Sequence, residues 1–409
     1  MSKDQKFVIV GGGLAGASAA ETLRTEGFDG HIRLIGAEPY APYIRPPLSK
    51  DYLSGKDELD TVFVHPEAWY AENDVELTVG TAATAVDPAA REVTLANGEK
   101  VGYDKLLLAT GSKPRILTIP GSELDGVHYL RTIDDSKLLH DALGDGGKKL
   151  VLIGSGWIGM EVAATARTLG NDVTILERDP VPLANAIGDE LGRLFGDMHD
   201  QNGVVRRMSV NVDSIVGVDG RATGVVINGN ETIPADLILV GVGVIPNTDL
   251  AEAAGLRLGN GILVDESMRT SDPDIFAAGD VANAFHPLIG QNLRSEHWAN
   301  ALNGGPVAAK SMLGQKASFD NIPYFYTDQY DLGMEYSGYG PLTRGARVVY
   351  RGDLAKREFI AFWVAEGKVV AGMNVNVWDV NEDIQDLIRR GNLVSPAKLA
   401  DETVPLSSL

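Results

Sequence analysis

Short apolar runs that close on glycine recur along this chain. Phe7-Val8-Ile9-Val10 is the first, and Gly11-Gly12-Gly13-Leu14-Ala15-Gly16 follows at once. An apolar run of about four to eight residues bounded by turn residues reads as a buried strand. Alanine-rich sequence through Arg24 predicts a helix that stops at Gly27. Ile32-Arg33-Leu34-Ile35 predicts the next strand and completes a βαβ unit of about 30 residues.

The same order returns from Leu150. Leu150 to Ile153 predicts a strand and Gly154-Ser155-Gly156-Trp157-Ile158-Gly159 a turn. Met160 to Leu169 predicts a helix capped by Gly170, and Asp172 to Leu176 the second strand. One supersecondary unit is therefore present twice. Three more buried strands close on glycine: Leu106 to Leu108 before Ala109-Thr110-Gly111, Leu237 to Val240 before Gly241, and Ile275 to Ala277 before Gly279-Asp280. After Pro323 the texture changes. Arg347 to Tyr350, Phe359 to Val364 and Val369 to Val375 predict antiparallel strands, and Asn381 to Arg390, followed by Gly391, a helix. The fold class expected is α/β, with two Rossmann-like dinucleotide-binding domains and a C-terminal α+β domain.

Each G-x-G-x-x-G turn has a mechanism. Its first glycine permits the tight turn, its second lets backbone approach a pyrophosphate, and its third lets helix and strand pack closely. The pyrophosphate then rests on a helix N-terminus. An acid about 20 residues on binds ribose hydroxyls, and Glu38 and Glu177 follow Gly16 and Gly159 by 22 and 18 residues. The expected contacts are Gly11, Gly13, Leu14, Ala15 and Gly16 at the first turn. At the second they are Gly154, Gly156, Ile158 and Gly159, with Gly243 in the same set. The first site is the better FAD site, because Ala109-Thr110-Gly111 and Gly279-Asp280 stand ready to complete it. Asp280 reads equally well as a ligand of ribityl hydroxyls and as a helix N-cap before Val281. Glu177 favours NADH over NADPH, since a carboxylate repels a 2′-phosphate. Arg178 beside it is expected to be a solvated surface charge.

Composition narrows the function. No apolar run approaches the roughly 18 residues of a membrane helix, and the polar start Met1 to Lys6 is no signal peptide, so a cytoplasmic address is expected. The absence of cysteine excludes a redox disulfide, a thiol nucleophile and a thiolate iron–sulfur cluster within the chain. A formal charge of −20 disfavours nucleic acid. The seven histidines show no metal-ligand spacing, so no metal site is expected.

Gly11 to Gly16, Arg45-Pro46-Pro47-Leu48-Ser49-Lys50, Ala109-Thr110-Gly111-Ser112 and Ala278-Gly279-Asp280 together resemble the NADH-dependent ferredoxin reductases of bacterial oxygenase systems. The resemblance covers nearly the whole chain and implies a glutathione reductase-like fold. Residues 1–113 and 247–322 would form a split FAD domain, 114–246 the NAD domain and 323–409 the C-terminal domain. It implies that Arg45, with Pro46, contacts the FAD adenosine and pyrophosphate region, and that Lys50 sits beside the flavin paired with Glu161, the two catalytic candidates. Asp280 would bind the ribityl chain, and Glu296, His297 and Trp298 would line the flavin. The implied acceptor is a small iron–sulfur ferredoxin, of the 2Fe-2S type, that serves a P450 or Rieske oxygenase. The enzyme would be a monomer or a homodimer. Relatives often carry Trp-x-Trp-Ser-Asp-Gln where this chain has Tyr324-Phe325-Tyr326-Thr327-Asp328-Gln329, so Tyr326 replaces a tryptophan expected near the flavin and the ferredoxin. Two other readings remain: an oxidase or apoptosis-inducing-factor-like flavoprotein, and a redox-sensing binding protein.

Overall fold

A computed structural model describes residues 3–409. In chain order, two parallel sheets use β1 (Lys6–Val10), β2 (His31–Ile35), β3 (Val75–Thr78) and β4 (Lys105–Leu108). Next come β5 (Val127–His128), β6 (Lys149–Ile153), β7 (Asp172–Leu176), β8 (Val205–Arg207) and β9 (Leu237–Val240), and finally β10 (Ile275–Ala277). The helices that matter for function are α1 (Leu14–Thr25), α2 (Trp157–Thr168), α3 (Asp189–Gln201), α4 (Trp298–Met312) and α5 (Asn381–Arg390).

The chain divides into two compact units. The first holds the chain up to Ile44, Leu59–Lys113 and Ile245–Phe325; the second holds Arg45–Glu58, Pro114–Val244 and Tyr326–Leu409. The parallel sheet of the first unit has the order β10-β4-β1-β2-β3, and that of the second β8-β7-β6-β9-β5. Turned end for end, these are one arrangement: three successive strands spread to one side and a return strand lies on the other. Val10 stands beside Ile35 and Leu108, and Ile153 beside Leu176 and Val240. The sequence repeat is therefore a repeat of whole sheets. Strand order reverses between β1 and β4 and again between β6 and β9, the place where an open α/β sheet receives a ligand. Only the fifth strand differs in origin, since β10 follows its sheet in sequence and β5 precedes it.

The apolar runs are unbroken because these strands are covered on both faces. Phe7, Val8 and Ile9, and Leu150 to Leu152, are all at most 1% exposed. α1 begins at Leu14 and α2 at Trp157, inside the predicted glycine turns, because the last residues of each turn already form the first helical turn.

The sequence pattern did not reveal α4. Its Gly304-Gly305-Pro306 reads as a helix breaker, yet Pro306 lies inside the helix. A Cβ on Gly305 would stand 2.4 Å from the Ala15 carbonyl oxygen, so the glycine is what lets α4 lie against α1. α3 was missed for a similar reason: Cβ atoms at Gly192 and Gly196 would stand 2.3 Å from Pro182 O and 2.1 Å from an Arg206 nitrogen.

The last segment forms an antiparallel sheet, β11 (Tyr324–Gln329), β12 (Leu332–Gly338), β13 (Arg347–Asp353), β14 (Glu358–Ala365) and β15 (Lys368–Val375), in the order β11-β12-β15-β14-β13. α5 packs on it through Ile384, Leu387 and Ile388, with Gly372 giving room to Ile384. Among the described residues no helix is long and apolar enough to cross a membrane, and no cluster of three or more acidic, histidine or cysteine side chains could hold a metal ion.

Glycine to alanine inside a helix ordinarily gains about 1 kcal/mol. Gly305→Ala is expected to reverse that sign, because the added methyl meets backbone that cannot move aside. A net loss of about 1–3 kcal/mol, seen as a lowered melting temperature, is the expected result; an unchanged or raised one would show that the α1–α4 approach has slack.

Candidate functional site

In the first unit, a Cβ on Gly11 would lie 2.0 Å from Ala109 O, and one on Gly16 would lie 2.3 Å from Gly11 O. Those two glycines fold the chain back from β1 into α1. Gly13 differs: nothing stands within 4 Å of a Cβ placed there, so its face is open just where α1 begins. Leu14 and Ala15 form the buried first turn of α1, whose leading N–H groups have no acceptor within the helix. Glu38 lies past the end of β2, where its Oε2 accepts a hydrogen bond from Tyr43 Oη at 2.5 Å.

Two further segments converge on this turn. Asn247 clamps the Ala109-Thr110-Gly111 bend, donating to Thr110 O and accepting from Thr110 Oγ1 through its own carbonyl, both at 2.8 Å. Gly279 stands against Ala15, where a Cβ would come within 3.1 Å of the Ala15 side chain. Asp280 lies in the middle of the 3-10 turn Gly279–Val281, whose N-cap is Ala278. Asp280 therefore lies inside the turn and not at its N-cap position. Arg294 donates to Asp280 O at 3.2 Å and pairs with Glu296 at 2.6 Å, which joins these two predicted residues through a third. The His297 ring packs tilted against Phe325 at 4.4 Å between ring centroids, and Trp298 opens α4.

The second unit repeats the cradle. A Cβ on Gly154 would lie 2.4 Å from Gly241 O and one on Gly159 2.6 Å from Gly154 O, while Gly156 and Gly243 face open space. Ile158 is 47% exposed beside that opening. Glu177 is held at the end of β7. Its Oε2 accepts from Ser155 N–H at 2.8 Å and from Ser155 Oγ at 2.7 Å, and its Oε1 from Asp179 N–H at 3.0 Å. A carboxylate accepts about four hydrogen bonds, so capacity remains for a sugar hydroxyl. Arg178 is exposed. In both units an open glycine, a helix N-terminus and an oriented carboxylate fit a dinucleotide.

Also in the second unit, the Arg45 guanidinium donates to the Arg131 carbonyl and Pro46 starts a short 3-10 turn. That turn delivers Lys50, whose Nζ lies 3.0 Å from Glu161 Oε1. Lys50 is 12% and Glu161 5% exposed, so this is a buried ion pair. Such a pair is tolerated when further hydrogen bonds support it, and here each carboxylate oxygen accepts one from a hydroxyl. Ser49 Oγ donates to Glu161 Oε2 at 2.5 Å, and Thr327 Oγ1 to Oε1 at 2.7 Å. Nζ also lies 5.3 Å from the centroid of the Tyr326 ring, within range of a cation–π contact. Burial, then the charges of Asp328, Glu161 and Asp51, hold the Tyr326 hydroxyl above its ordinary pKa.

Sequence reasoning missed Ser49, Ser155, Asn247, Arg294, Thr327 and Gln329. Ser49 and Thr327 adjoin residues that were singled out, but which way each hydroxyl turns is decided by packing. Burial pushes the imidazoles of His199 and His297 down to about 4. The His297 residue is half-buried, and its Nδ1 is buried with no hydrogen-bond partner.

Residues 5–305 match the pyridine nucleotide-disulphide oxidoreductase family, and residues 324–409 match the reductase C-terminal family. The chain is 38% identical to the ferredoxin--NAD(+) reductase component of the anthranilate 1,2-dioxygenase system of Burkholderia cepacia, over 100% of both chains. It is 35% identical to putidaredoxin reductase of Pseudomonas putida, over 100% of this chain and 97% of that one. The structure superposes on a covalent putidaredoxin reductase–putidaredoxin complex with a TM-score of 0.95 at 34% identity, covering 100% of this chain and 98% of that one.

His199 is wholly buried and neutral in the fold but binds a proton near pH 6.5 when unfolded. The unfolded chain therefore holds more protons between pH 6.5 and 4, and His199 lowers stability as pH falls through that window. Relative to His199→Gln, the native chain should lose up to about 1.4 kcal/mol per pH unit there and nothing above pH 7. Parallel stability curves for the two proteins would contradict this.

Proposed function

Because this chain belongs to the pyridine nucleotide-disulphide oxidoreductase family, we propose that it passes electrons from NADH through FAD to a small iron–sulfur ferredoxin that serves an oxygenase. The carrying observation is the doubled cradle: two sheets of one topology, each with an open glycine turn and an oriented carboxylate. Two dinucleotides in one chain imply that one reduces the other. The chain has no cysteine, so the disulphide branch of the family's chemistry is closed to it and the electrons must leave to an external acceptor. Bound FAD would supply two-electron acceptance of a hydride from NADH and one-electron release to the iron–sulfur partner, which we assign to the 2Fe-2S type.

In this reading residues 1–113 and 247–322 bind FAD, 114–246 bind NADH and 323–409 form the C-terminal domain. The N–H groups at the start of α1 bind the FAD pyrophosphate, Glu38 its adenosine ribose and Asp280 its ribityl hydroxyls. Arg45 adds positive charge toward the pyrophosphate, and Glu296, His297 and Trp298 line the ring. His297, neutral near pH 7, brings no charge of its own. Glu177 binds the adenosine ribose of NADH. Because Ser155 and the Asp179 N–H fix the carboxylate, it cannot swing away from a 2′-phosphate, and NADPH is disfavoured.

Lys50 supplies a fixed positive charge where negative charge develops as hydride arrives. Preorganised charge of this kind acts without reorganisation during the reaction. Tyr326 packs against Lys50 and presents a hydroxyl where the family resemblance implies a tryptophan.

Lys50→Ala should keep FAD bound and slow its reduction by NADH on the order of tenfold or more, the rate equivalent of about 1.4 kcal/mol. Chemically reduced protein should still pass electrons to a 2Fe-2S ferredoxin at nearly the native rate. Unchanged reduction by NADH in stopped flow would remove Lys50 from the hydride step, and failure of the unaltered, NADH-reduced protein to reduce any such ferredoxin would overturn the proposed function.

A further inference from the structure

The Glu161 carboxylate is the end point of a buried chain of side chains that reaches α3. Thr327 Oγ1 donates to Glu161 Oε1 at 2.7 Å, and Gln329 Nε2 donates to Thr327 Oγ1 at 3.2 Å. Gln329 Oε1 lies 2.8 Å from His199 Nε2, and His199 Nδ1 lies 3.4 Å from Tyr330 Oη. Thr327 and Gln329 are each 1% exposed and His199 is 0% exposed. The large majority of polar groups this deep are hydrogen-bonded, and each of these three side chains is.

The direction of every bond follows from one fact: a carboxylate only accepts. The single Thr327 hydroxyl proton goes to Glu161, so Thr327 oxygen must accept from Gln329. The Gln329 NH₂ group therefore faces Thr327 and its carbonyl faces His199. His199 must then carry its proton on Nε2, which leaves Nδ1 to accept from the Tyr330 hydroxyl. With burial holding the imidazole neutral near pH 7, it has one proton to place. All four donors, Tyr330, His199, Gln329 and Thr327, point toward the carboxylate that pairs with Lys50. Aligned hydrogen bonds polarise one another, and here the polarisation favours negative charge at Glu161.

We propose that Gln329 and His199 are positioning residues for the reaction, fixing the Glu161 carboxylate and through it the place of the Lys50 ammonium. Neither contacts Lys50. β11 and α3 thus set the geometry of a pair carried by the 3-10 turn before Lys50 and by α2. The inference rests on the reading of Lys50 given above.

The test combines a double-variant cycle with a spectrum. Stopped-flow reduction by NADH is measured on FAD-loaded Gln329→Met, Lys50→Ala and the double variant. Gln329→Met keeps the volume and breaks the chain; it should slow reduction roughly three- to thirtyfold, the range expected for coupled neighbours. In the Lys50→Ala background it should add nothing, because the residue it positions is gone. A native rate in Gln329→Met, or an additive loss in the double variant, overturns the proposal. A native rate in Lys50→Ala overturns the reading of Lys50 itself, and this inference with it. The ¹⁵N spectrum of the unaltered, histidine-labelled protein gives a readout independent of turnover and of any variant's folding. His199 should carry its proton on Nε2 at pH 7, and an Nδ1-protonated or doubly protonated ring would overturn the chain as drawn.

Discussion

Close approach of backbone to backbone at the glycine turns is the constraint on which the molecule depends. At Gly11 and Gly16 the distances left for a side chain are 2.0 and 2.3 Å, and at Gly154 and Gly159 they are 2.4 and 2.6 Å. No L-residue with a Cβ fits there without moving main chain. In return each helix starts hard against the end of its first strand, with its leading N–H groups turned to the open glycine. The acid at the end of the second strand then falls at the height of that helix terminus. Gly279 and Gly305 extend the logic in the first unit, seating the Asp280 turn and α4 against the same first turn of α1.

A second constraint operates in the other unit. Lys50 and Glu161 are charges taken out of water in a strongly acidic chain. Their cost is offset by Ser49 and Thr327, which donate to the two carboxylate oxygens from two different segments. Breaking such a pair from one side leaves an uncompensated buried charge, typically a loss of about 3–5 kcal/mol. That burden accords with the role proposed for Lys50, since a charge already in place need not be assembled during turnover.

The parts legible in the sequence are those whose chemistry is local. β7 and α5 begin and end at the predicted residues, with Gly170 stopping the helix before β7 and Gly391 closing α5. The two cradles were legible because glycine spacing is a property of one short segment. α3 and α4 were not, since their internal glycines reflect contact with Arg206, Pro182 and Ala15, all of which lie outside the helix that meets them. The flanking antiparallel sheets Ala83–Asp87, Glu92–Leu95 and Lys100–Gly102, and Val212–Val218, Arg221–Ile227 and Glu231–Pro234, were missed because their short, partly exposed strands lack a clean apolar alternation. The partnership of Lys50 with Glu161 came from family resemblance. The residues that complete it depend on which way hydroxyls and amides turn once β11 is in place, and no spacing rule contains that.

The central claim is that one chain holds two different dinucleotides, FAD in the first cradle and NADH in the second. The most direct measurement is the identity and amount of flavin released when the purified yellow protein is denatured, made together with an anaerobic titration by NADH and by NADPH. The account predicts one FAD per chain, bleached readily by NADH and poorly by NADPH. A colourless protein, release of FMN, or bleaching by NADPH in preference to NADH would contradict it.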